Sequence, residues 1–296
     1  MTKTFPALIS AKYQHYIDSF RAVENNAEWL NRRLTNFPEY PLFAVHLQLV
    51  WGCSDFVAQD CLSQPALFRA LVESGDLQRS YFATDYEKAI PLPEPCNEEQ
   101  LAKTLRLFRR RELIRIIWRD FTRQATMQET TADMTWMAEA AISAALLVLH
   151  PITCRELGTP LSSADGASAS TIQRMLVIAM GKMGAYELNV SSDIDLIFAY
   201  PNKGETSWLE SGVARKTVSN QEFFTRLGQK LIAALDRKTA DGFVFRVDMA
   251  LRPYGQSGAL VMSFDALEEY YLTQGREWER YAMVKARVVS GATADR

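Results

Sequence analysis

The sequence predicts an α+β fold in which an N-terminal helical region precedes a β-sheet flanked by helices. Two observations lead to it. Apolar residues recur at helical spacing from residue 1 to about 150, whereas short apolar runs typical of buried strands alternate with amphipathic segments after about residue 170. Small and polar residues at 158–170 mark a linker. We therefore expect a helical region at 1–157 and a second domain at 171–296.

The helical region has clear boundary signals. Residues 43–51 predict an apolar helix that ends near Gly52, and Ser54 is placed to cap the next helix. Three prolines in 89–96 exclude a helix interior and predict an extended loop. Residues 138–149 are apolar nearly all round and are therefore expected to be buried.

A helix that begins near Glu98 carries a dense basic run, which has two interpretations. One is a phosphate- or protein-binding surface. The other is a solvated face paired with local acids such as Glu112 and Asp120, which the chain's acidic balance favours. The run comprises Arg106, Arg109, Arg110, Arg111, Arg115 and Arg119.

The second domain opens with a glycine-rich turn between two apolar strands. Residues 176–180 predict a buried strand, and Gly181-Lys182-Met183-Gly184 follows, where a backbone can approach a phosphate closely. A second strand, predicted at 191–198, carries Asp193 and Asp195. Because side chains alternate along a strand, the two carboxylates share a face.

Those carboxylates indicate a bound cation. Two carboxylates about 5 Å apart repel by roughly 3 kcal/mol at an effective dielectric of about 20. Mg²⁺ is held in proteins by one or two carboxylates together with substrate phosphates. The alternative is that the aspartates cap a turn.

A third motif follows the Asp241-Gly242 turn. Residues 243–248 predict a strand, and alternation places Arg246, Asp248, Ala250 and Arg252 on one face if the strand stays regular. Three aspartates on neighbouring strands can hold two metal ions about 3.5–4 Å apart, as in displacement at phosphorus.

The remaining elements are helices and one short strand. Ser219 and Glu222 predict a capping box for a helix to about residue 237, with a buried stripe. A strand at 259–262 and a helix beginning at Asp265 are expected next. A last helix at 277–289 carries Lys285 and Arg287, which face either nucleotide phosphates or solvent. The stripe consists of Phe224, Leu227, Leu231 and Leu235.

Composition excludes several classes of protein. The net charge of −2 argues against a general nucleic-acid or membrane-surface binder. No uninterrupted apolar run reaches the roughly 20 residues that span a bilayer. The N-terminus lacks a signal-peptide core, and the cysteines form no C-x-x-C pair, so we expect a cytoplasmic protein with reduced cysteines. The three histidines are too scattered for a zinc site with them.

Three separated strings carry a family resemblance: GKMGAYELNVSSDIDLIF, RVDMALRPYGQSGAL and GREWERYAMVKARVV. They resemble the N-terminal, adenylyl-removing half of the bifunctional glutamine synthetase adenylyltransferase/adenylyl-removing enzyme family, within the nucleotidyltransferase superfamily of DNA polymerase β. The resemblance extends upstream through SDFVAQDCLSQP and LRLFRRRELIRI and so covers most of the chain. It implies that 171–296 is a nucleotidyltransferase catalytic domain with a mixed sheet.

The resemblance also implies a reaction. Orthophosphate attacks the AMP phosphorus on an adenylylated tyrosine of glutamine synthetase and releases ADP. Asp193 and Asp195 would be the primary ligands of two Mg²⁺ ions, with Mn²⁺ as an alternative, and Asp248 would bridge or activate. The implied partners are glutamine synthetase and a PII-type signal protein. The residues expected to bind phosphate or nucleotide are Gly181, Lys182, Gly184, Ser192, Arg252, Lys285 and Arg287.

Two departures from the family keep alternatives open. Ala250 stands where the family usually has arginine, which is expected to weaken anion binding by about 1.5–3 kcal/mol. Family members continue into a second catalytic half, so the domain at 171–296 is expected to be truncated at its C-terminal end. The alternatives are a regulatory binding module without turnover and a nucleotidyltransferase that attaches NMP to another acceptor.

Overall fold

The computed structural model describes residues 5–23, 25–162, 170–208 and 216–290, and the chain forms two compact units. One unit comprises residues 1–82 and 108–133, and the other comprises 83–107 and 134–296. This division into units does not test the domain boundaries expected from the sequence, 1–157 and 171–296, which stay a prediction. Of the predicted linker, residues 163–169 lie outside the described part of the chain.

Helices make up most of the described residues before the first strand, as the sequence predicts. Ser54 caps the helix that begins at Asp55 by accepting a hydrogen bond from Val57 N at 3.3 Å. Residues 89–96 contain no helix, as their prolines require. The helices are α1 (Ala7–Arg21), α2 (Asn26–Thr35), α3 (Phe43–Cys53), α4 (Asp55–Ser63), α5 (Pro65–Glu73), α6 (Ala83–Lys88), α7 (Glu98–Phe121) and α8 (Met127–Leu157).

Aromatic side chains fill the core of the first unit. Phe20 packs against Trp51 and Phe68, with ring centroids 5.5 and 5.9 Å apart. Phe43 stacks on Trp118 at 5.8 Å. These rings are buried, and such pairs add about 0.5–1.5 kcal/mol each beyond the area that they bury.

The arginines of the basic run on α7 are buried or half-buried and do not form a solvated face. Arg115 is fully buried and donates to Glu112 at 2.8 Å and to Asp133 at 3.1 Å. Arg119, 2% exposed, donates to Glu129 at 2.6 Å. The expected partner Glu112 is confirmed, whereas Asp120 accepts a hydrogen bond from Thr130. Arg106, Arg115 and Arg119 are buried, and the other three arginines are half-buried. Sequence spacing missed this because most of the acids that neutralise the arginines lie on other segments.

The second unit contains a small mixed sheet with flanking helices, which confirms the predicted fold class. Its main path joins, in spatial order, the strands at Val247–Asp248, Ile194–Tyr200, Leu176–Ala179 and Arg287–Val288, and a strand at Val261–Ser263 also pairs with the second of them. A separate two-stranded sheet joins Thr159–Pro160 and Thr206–Ser207. The elements are β1 (Thr159–Pro160), β2 (Leu176–Ala179), α9 (Gly181–Gly184), β3 (Ile194–Tyr200), β4 (Thr206–Ser207), α10 (Asn220–Asp236), β5 (Val247–Asp248), β6 (Val261–Ser263), α11 (Phe264–Thr273), α12 (Glu277–Ala282) and β7 (Arg287–Val288), with 3₁₀ turns at Gly255–Ser257 and Met283–Lys285.

Strand β3 organises the sheet. It is antiparallel to β2 on one edge, and on the other edge it runs parallel to β5 and then to β6. The strand predicted at 243–248 is wrong in extent, because only Val247–Asp248 pairs. The chain then leaves the sheet and returns to the same edge of β3 as β6. Helix α10 covers the sheet with its predicted buried stripe, and Ser219 caps it by accepting from Glu222 N at 3.2 Å.

The C-terminal elements differ from the prediction. The helix expected at 277–289 ends at Ala282, because the chain turns and adds β7 antiparallel to β2. Lys285 thus lies in a 3₁₀ turn and Arg287 in a strand. Helix α11 is capped by Ser263, whose hydroxyl accepts from Ala266 N at 3.4 Å, and therefore begins before Asp265.

Helix α8 departs from one expectation. Leu147 is 69% exposed, although residues 138–149 were expected to be buried throughout. By length and composition α8 is also apolar enough to cross a membrane, although it contains no uninterrupted apolar run of about 20 residues. Half of its most apolar 18-residue window is buried inside the protein.

Candidate functional site

The pairing of β3 with β5 brings two of the predicted carboxylates together. Asp195 and Asp248 are direct partners in the parallel register, and Ile194 N donates to Arg246 O at 2.9 Å one step earlier. Neighbouring strands lie about 4.8 Å apart, so the two side chains leave adjacent backbones on the same face. Asp248 is exposed and Asp195 is half-buried, so the face is open to solvent.

Asp193 lies one residue before β3 and has a cationic partner. Its carboxylate accepts a hydrogen bond from Arg246 Nε. The same guanidinium donates through NH2 to Ser191 O at 2.6 Å. The third predicted carboxylate therefore lies two residues before Asp195, just before the start of β3, and it is already paired with an arginine.

The electrostatics of Asp195 show that negative charge is concentrated here. Burial raises the pKa of its carboxyl, and the charges of Asp248 and Asp193 raise it further, whereas Lys182 lowers it. Oxygen ligands with excess negative charge suit Mg²⁺ or Mn²⁺. Within the described ranges, no three His, Cys, Asp or Glu side chains already converge as a metal-binding group. The donor set fits a divalent cation in its chemistry, while Asp193 is turned toward Arg246.

Gly181 brings the backbone of α9 against the carboxylates. Its φ of 54° lies in the left-handed region, and a Cβ there would be 3.0 Å from Asp195 Oδ2. Gly184 has a different role, because a Cβ would meet Lys285 O at 1.9 Å and Ala179 O at 2.7 Å. Its missing side chain lets the turn before β7 pack onto α9. Its predicted phosphate contact stays a prediction.

Two other predicted phosphate ligands lie on the segments around the carboxylates. Lys182 is exposed on α9, where its charge acts on Asp195. Ser192 is half-buried, and its backbone N donates to Asn189 O at 3.1 Å. Their roles in binding phosphate stay predictions.

Arg252 closes the loop that follows β5. Its guanidinium donates to the carbonyls of Met249 at 2.7 Å, Gln256 at 3.1 Å and Gly258 at 3.4 Å. The expected alternation through residues 250 and 252 is wrong, because the chain turns after Asp248. In that turn Ala250 N donates to Asp248 Oδ1 at 2.7 Å, which orients the carboxylate.

Lys285 and Arg287 also have protein partners. Lys285 donates to Glu187 at 2.7 Å. Arg287 pairs with Glu139, donates to Gly184 O at 3.1 Å and lies over the Tyr186 ring at 3.8 Å from its centroid. Arg287 thus holds β7 against α9, and Lys285 links the turn before β7 to the loop that follows α9. Their predicted contacts with nucleotide phosphates stay predictions.

Comparison with known proteins identifies the family. The model of the glutamate-ammonia ligase adenylyltransferase family matches residues 44–295. The chain belongs to this family. It is 48% identical over 280 residues to a bifunctional glutamine synthetase adenylyltransferase/adenylyl-removing enzyme of Pseudomonas putida, which covers 92% of this chain and 28% of that protein. For the enzymes of that name in Pseudomonas aeruginosa and Hahella chejuensis the identities are 50% and 45%, over 88% and 97% of this chain and 26% and 28% of those proteins.

The chain thus spans about a quarter of the length of the curated adenylyltransferase relatives that it matches. Sequence reasoning placed Arg246 on the carboxylate face but gave it no role, although the structure pairs it with Asp193. The available signal was its spacing of two from Asp248 on a predicted strand. Arg252 closes a loop, which the sequence does not indicate, and its predicted contact with an anionic oxygen stays a prediction.

Proposed function

We propose that this chain removes AMP from an adenylylated tyrosine of glutamine synthetase by metal-dependent phosphorolysis and releases ADP. The observation that carries the proposal is the direct pairing of Asp195 with Asp248 beside the close approach of Gly181. Family membership supports nucleotidyl transfer. The direction rests on the motif resemblance to the adenylyl-removing half, and the relatives' names include both activities.

The bond changes are those of a displacement at phosphorus. An oxygen of orthophosphate forms a bond to the AMP phosphorus, and the bond from that phosphorus to the tyrosine oxygen breaks. The electron pair stays on the phenolate, which then takes a proton from solvent. Because the reference pKa of tyrosine is about 10, the phenolate can leave without a dedicated acid. The products are ADP and free tyrosine.

The chain's own residues would bind and orient the reactants. Asp193, Asp195 and Asp248 would hold two Mg²⁺ ions, with Mn²⁺ as an alternative. When bound, these ions neutralise the phosphate charges and align attack with departure. Lys182 would attract the phosphate as a point charge. Because Gly181 has no side chain, the phosphate would be able to come close to the backbone beside the carboxylates. We also propose a cytoplasmic location and regulation by a PII-type signal protein.

The test measures ADP formed from adenylylated glutamine synthetase by the 296-residue chain with Mg²⁺ and orthophosphate. Asp195→Asn and Asp248→Asn should each lower the rate by about 100-fold or more, because each removes a metal ligand that acts in the transition state. Glu268→Gln, which removes an exposed carboxylate from α11, is the matched control and should keep the rate. Release of AMP without orthophosphate would contradict phosphorolysis.

The same assay separates the alternatives. Pyrophosphate released from ATP and an acceptor would show a nucleotidyltransferase that attaches NMP. Binding of ADP without any product would show a regulatory module, and activity gained by Ala250→Arg would trace the loss to that position. Each of these outcomes replaces the proposal.

A further inference from the structure

The face that carries the carboxylates also carries one arginine at a regular position. Extending the register of β3 and β5 by one residue beyond the ends of both strands sets Asp193 across from Arg246, as Asp195 is across from Asp248. The hydrogen bond from Ile194 N to Arg246 O supports this extension. Residues adjacent along a strand face opposite sides, but those two apart share a side. One cross-strand position of this face therefore holds a cation–anion pair, and the next holds two anions.

The guanidinium of Arg246 is held by two bonds and not by Asp193 alone. Nε donates to Asp193 Oδ1, and NH2 donates to Ser191 O at 2.6 Å. The side chains of Arg246 and Asp193 are 52% and 48% exposed. Because water reaches both, the ion pair can open without burying an uncompensated charge. The backbone of Arg246 stays fixed by its bond from Ile194 N.

A metal ion and the guanidinium compete for the same carboxylate. An ion bound through Asp193 Oδ1 has to replace the Nε donor. One bound through the other oxygen would leave two cations on one carboxylate, and they would repel each other. Because Arg246 offsets the charge of Asp193, the full negative charge of the three carboxylates is available only to an ion that displaces the guanidinium.

We infer that Arg246 is the internal counter-cation of this site, holding Asp193 until a divalent cation replaces it. The displaced guanidinium then lies beside the metal, where it binds a phosphate oxyanion of the nucleotide. The inference rests on the metal site of the proposed function. It assigns Arg246 as a positioning residue before metal binding and as a phosphate ligand after it.

The first test titrates Mn²⁺ into the 296-residue chain without substrate and follows the free ion by electron paramagnetic resonance. At low salt, Arg246→Gln should bind Mn²⁺ about three- to tenfold more tightly than the wild type, because the competitor is gone. Arg246→Lys, which keeps the charge, should stay within about twofold. Added salt should reduce the difference, since both groups are exposed.

Controls separate this effect from a general change of charge or fold. Arg280→Gln removes an exposed positive charge from α12 and should leave the Mn²⁺ affinity unchanged. Arg246→Met repeats the loss of the guanidinium with a different side chain, and thermal melting without metal confirms that each variant folds. Unchanged or weaker Mn²⁺ binding by folded Arg246→Gln and Arg246→Met would overturn the inference.

A second titration tests the phosphate ligand. With Mn²⁺ saturating, Arg246→Gln should bind ADP about tenfold more weakly, the effect of one lost hydrogen bond to a charged group. Unchanged ADP affinity would overturn this half of the inference. The proposed function can fail independently of this inference. If the wild type binds Mn²⁺ but forms no ADP from adenylylated glutamine synthetase, the proposed phosphorolysis is wrong while the role of Arg246 stands.

Discussion

Asp195 should make the metal-free protein less stable at neutral pH. Burial and two neighbouring carboxylates raise the pKa of its carboxyl above its value in the unfolded chain. The native state therefore binds the proton more tightly, and stability falls as the pH rises through the native pKa. Repulsion of about 3 kcal/mol between carboxylates about 5 Å apart is reduced by solvent to about 1 kcal/mol, because Asp195 is only half-buried.

Asp195→Asn should accordingly raise Tm at pH 7 without metal by about 2–4 °C, the shift that 1 kcal/mol causes in a domain of about 150–250 residues. Divalent cation should reverse the order. At about 100 times Kd, binding adds about 2.7 kcal/mol to the wild type, or roughly 5–10 °C, and adds little to the variant.

Differential scanning calorimetry with and without Mg²⁺ measures both shifts. Glu268→Gln changes the net charge by the same amount at an exposed position and should shift neither Tm by more than about 1 °C. A lower Tm for metal-free Asp195→Asn would refute the argument from repulsion. Equal stabilisation of wild type and variant by Mg²⁺ would refute binding of the ion through Asp195.

Three further predictions concern stability. Gly184→Ala should lower the free energy of unfolding by about 3 kcal/mol in urea titrations, since its Cβ would collide with Lys285 O. Burial lowers the pKa of His150 to about 4, so the wild type should lose up to about 3 kcal/mol as the pH falls from about 6.5 to 4, and His150→Phe should show a flatter stability–pH profile. Arg106→Leu should cost about 3 kcal/mol, because a buried guanidinium that binds four backbone carbonyls is lost, whereas Arg280→Leu should cost less than about 0.5 kcal/mol.

Sequence patterns predicted those helices and strands whose ends depend on neighbouring residues in the chain, such as capping residues. The Ser219 cap and the apolar stripe of α10 lie within one segment, and both are confirmed. The segment 287–288 shows the limit of such signals. The sequence pattern there predicts a helix, but the segment pairs as a strand with the free edge of β2. That edge lies about 110 residues earlier in the chain.

Some features of the candidate site follow from local sequence, and others depend on the tertiary structure. The i, i+2 spacing of Asp193 and Asp195 predicted a shared strand face, and the approach of Asp248 followed from its β-favouring surroundings. The register that sets Asp248 against Asp195 needs the tertiary structure. So does the use of Arg252, whose three acceptors are backbone carbonyls and have no sequence signature.

The stability of the site depends on a short pairing and on the loop behind it. Strand β5 pairs with β3 over only Val247 and Asp248, and the two carboxylates at that pairing repel each other. The loop closed by Arg252 and the hydrogen bond from Ala250 N fix Asp248 on its C-terminal side, and Arg246 holds Asp193 on the other. A bridging cation would turn the repulsion into attraction at the point where the pairing is shortest. The same charges that weaken the metal-free sheet are therefore those that would make it a site for phosphate chemistry.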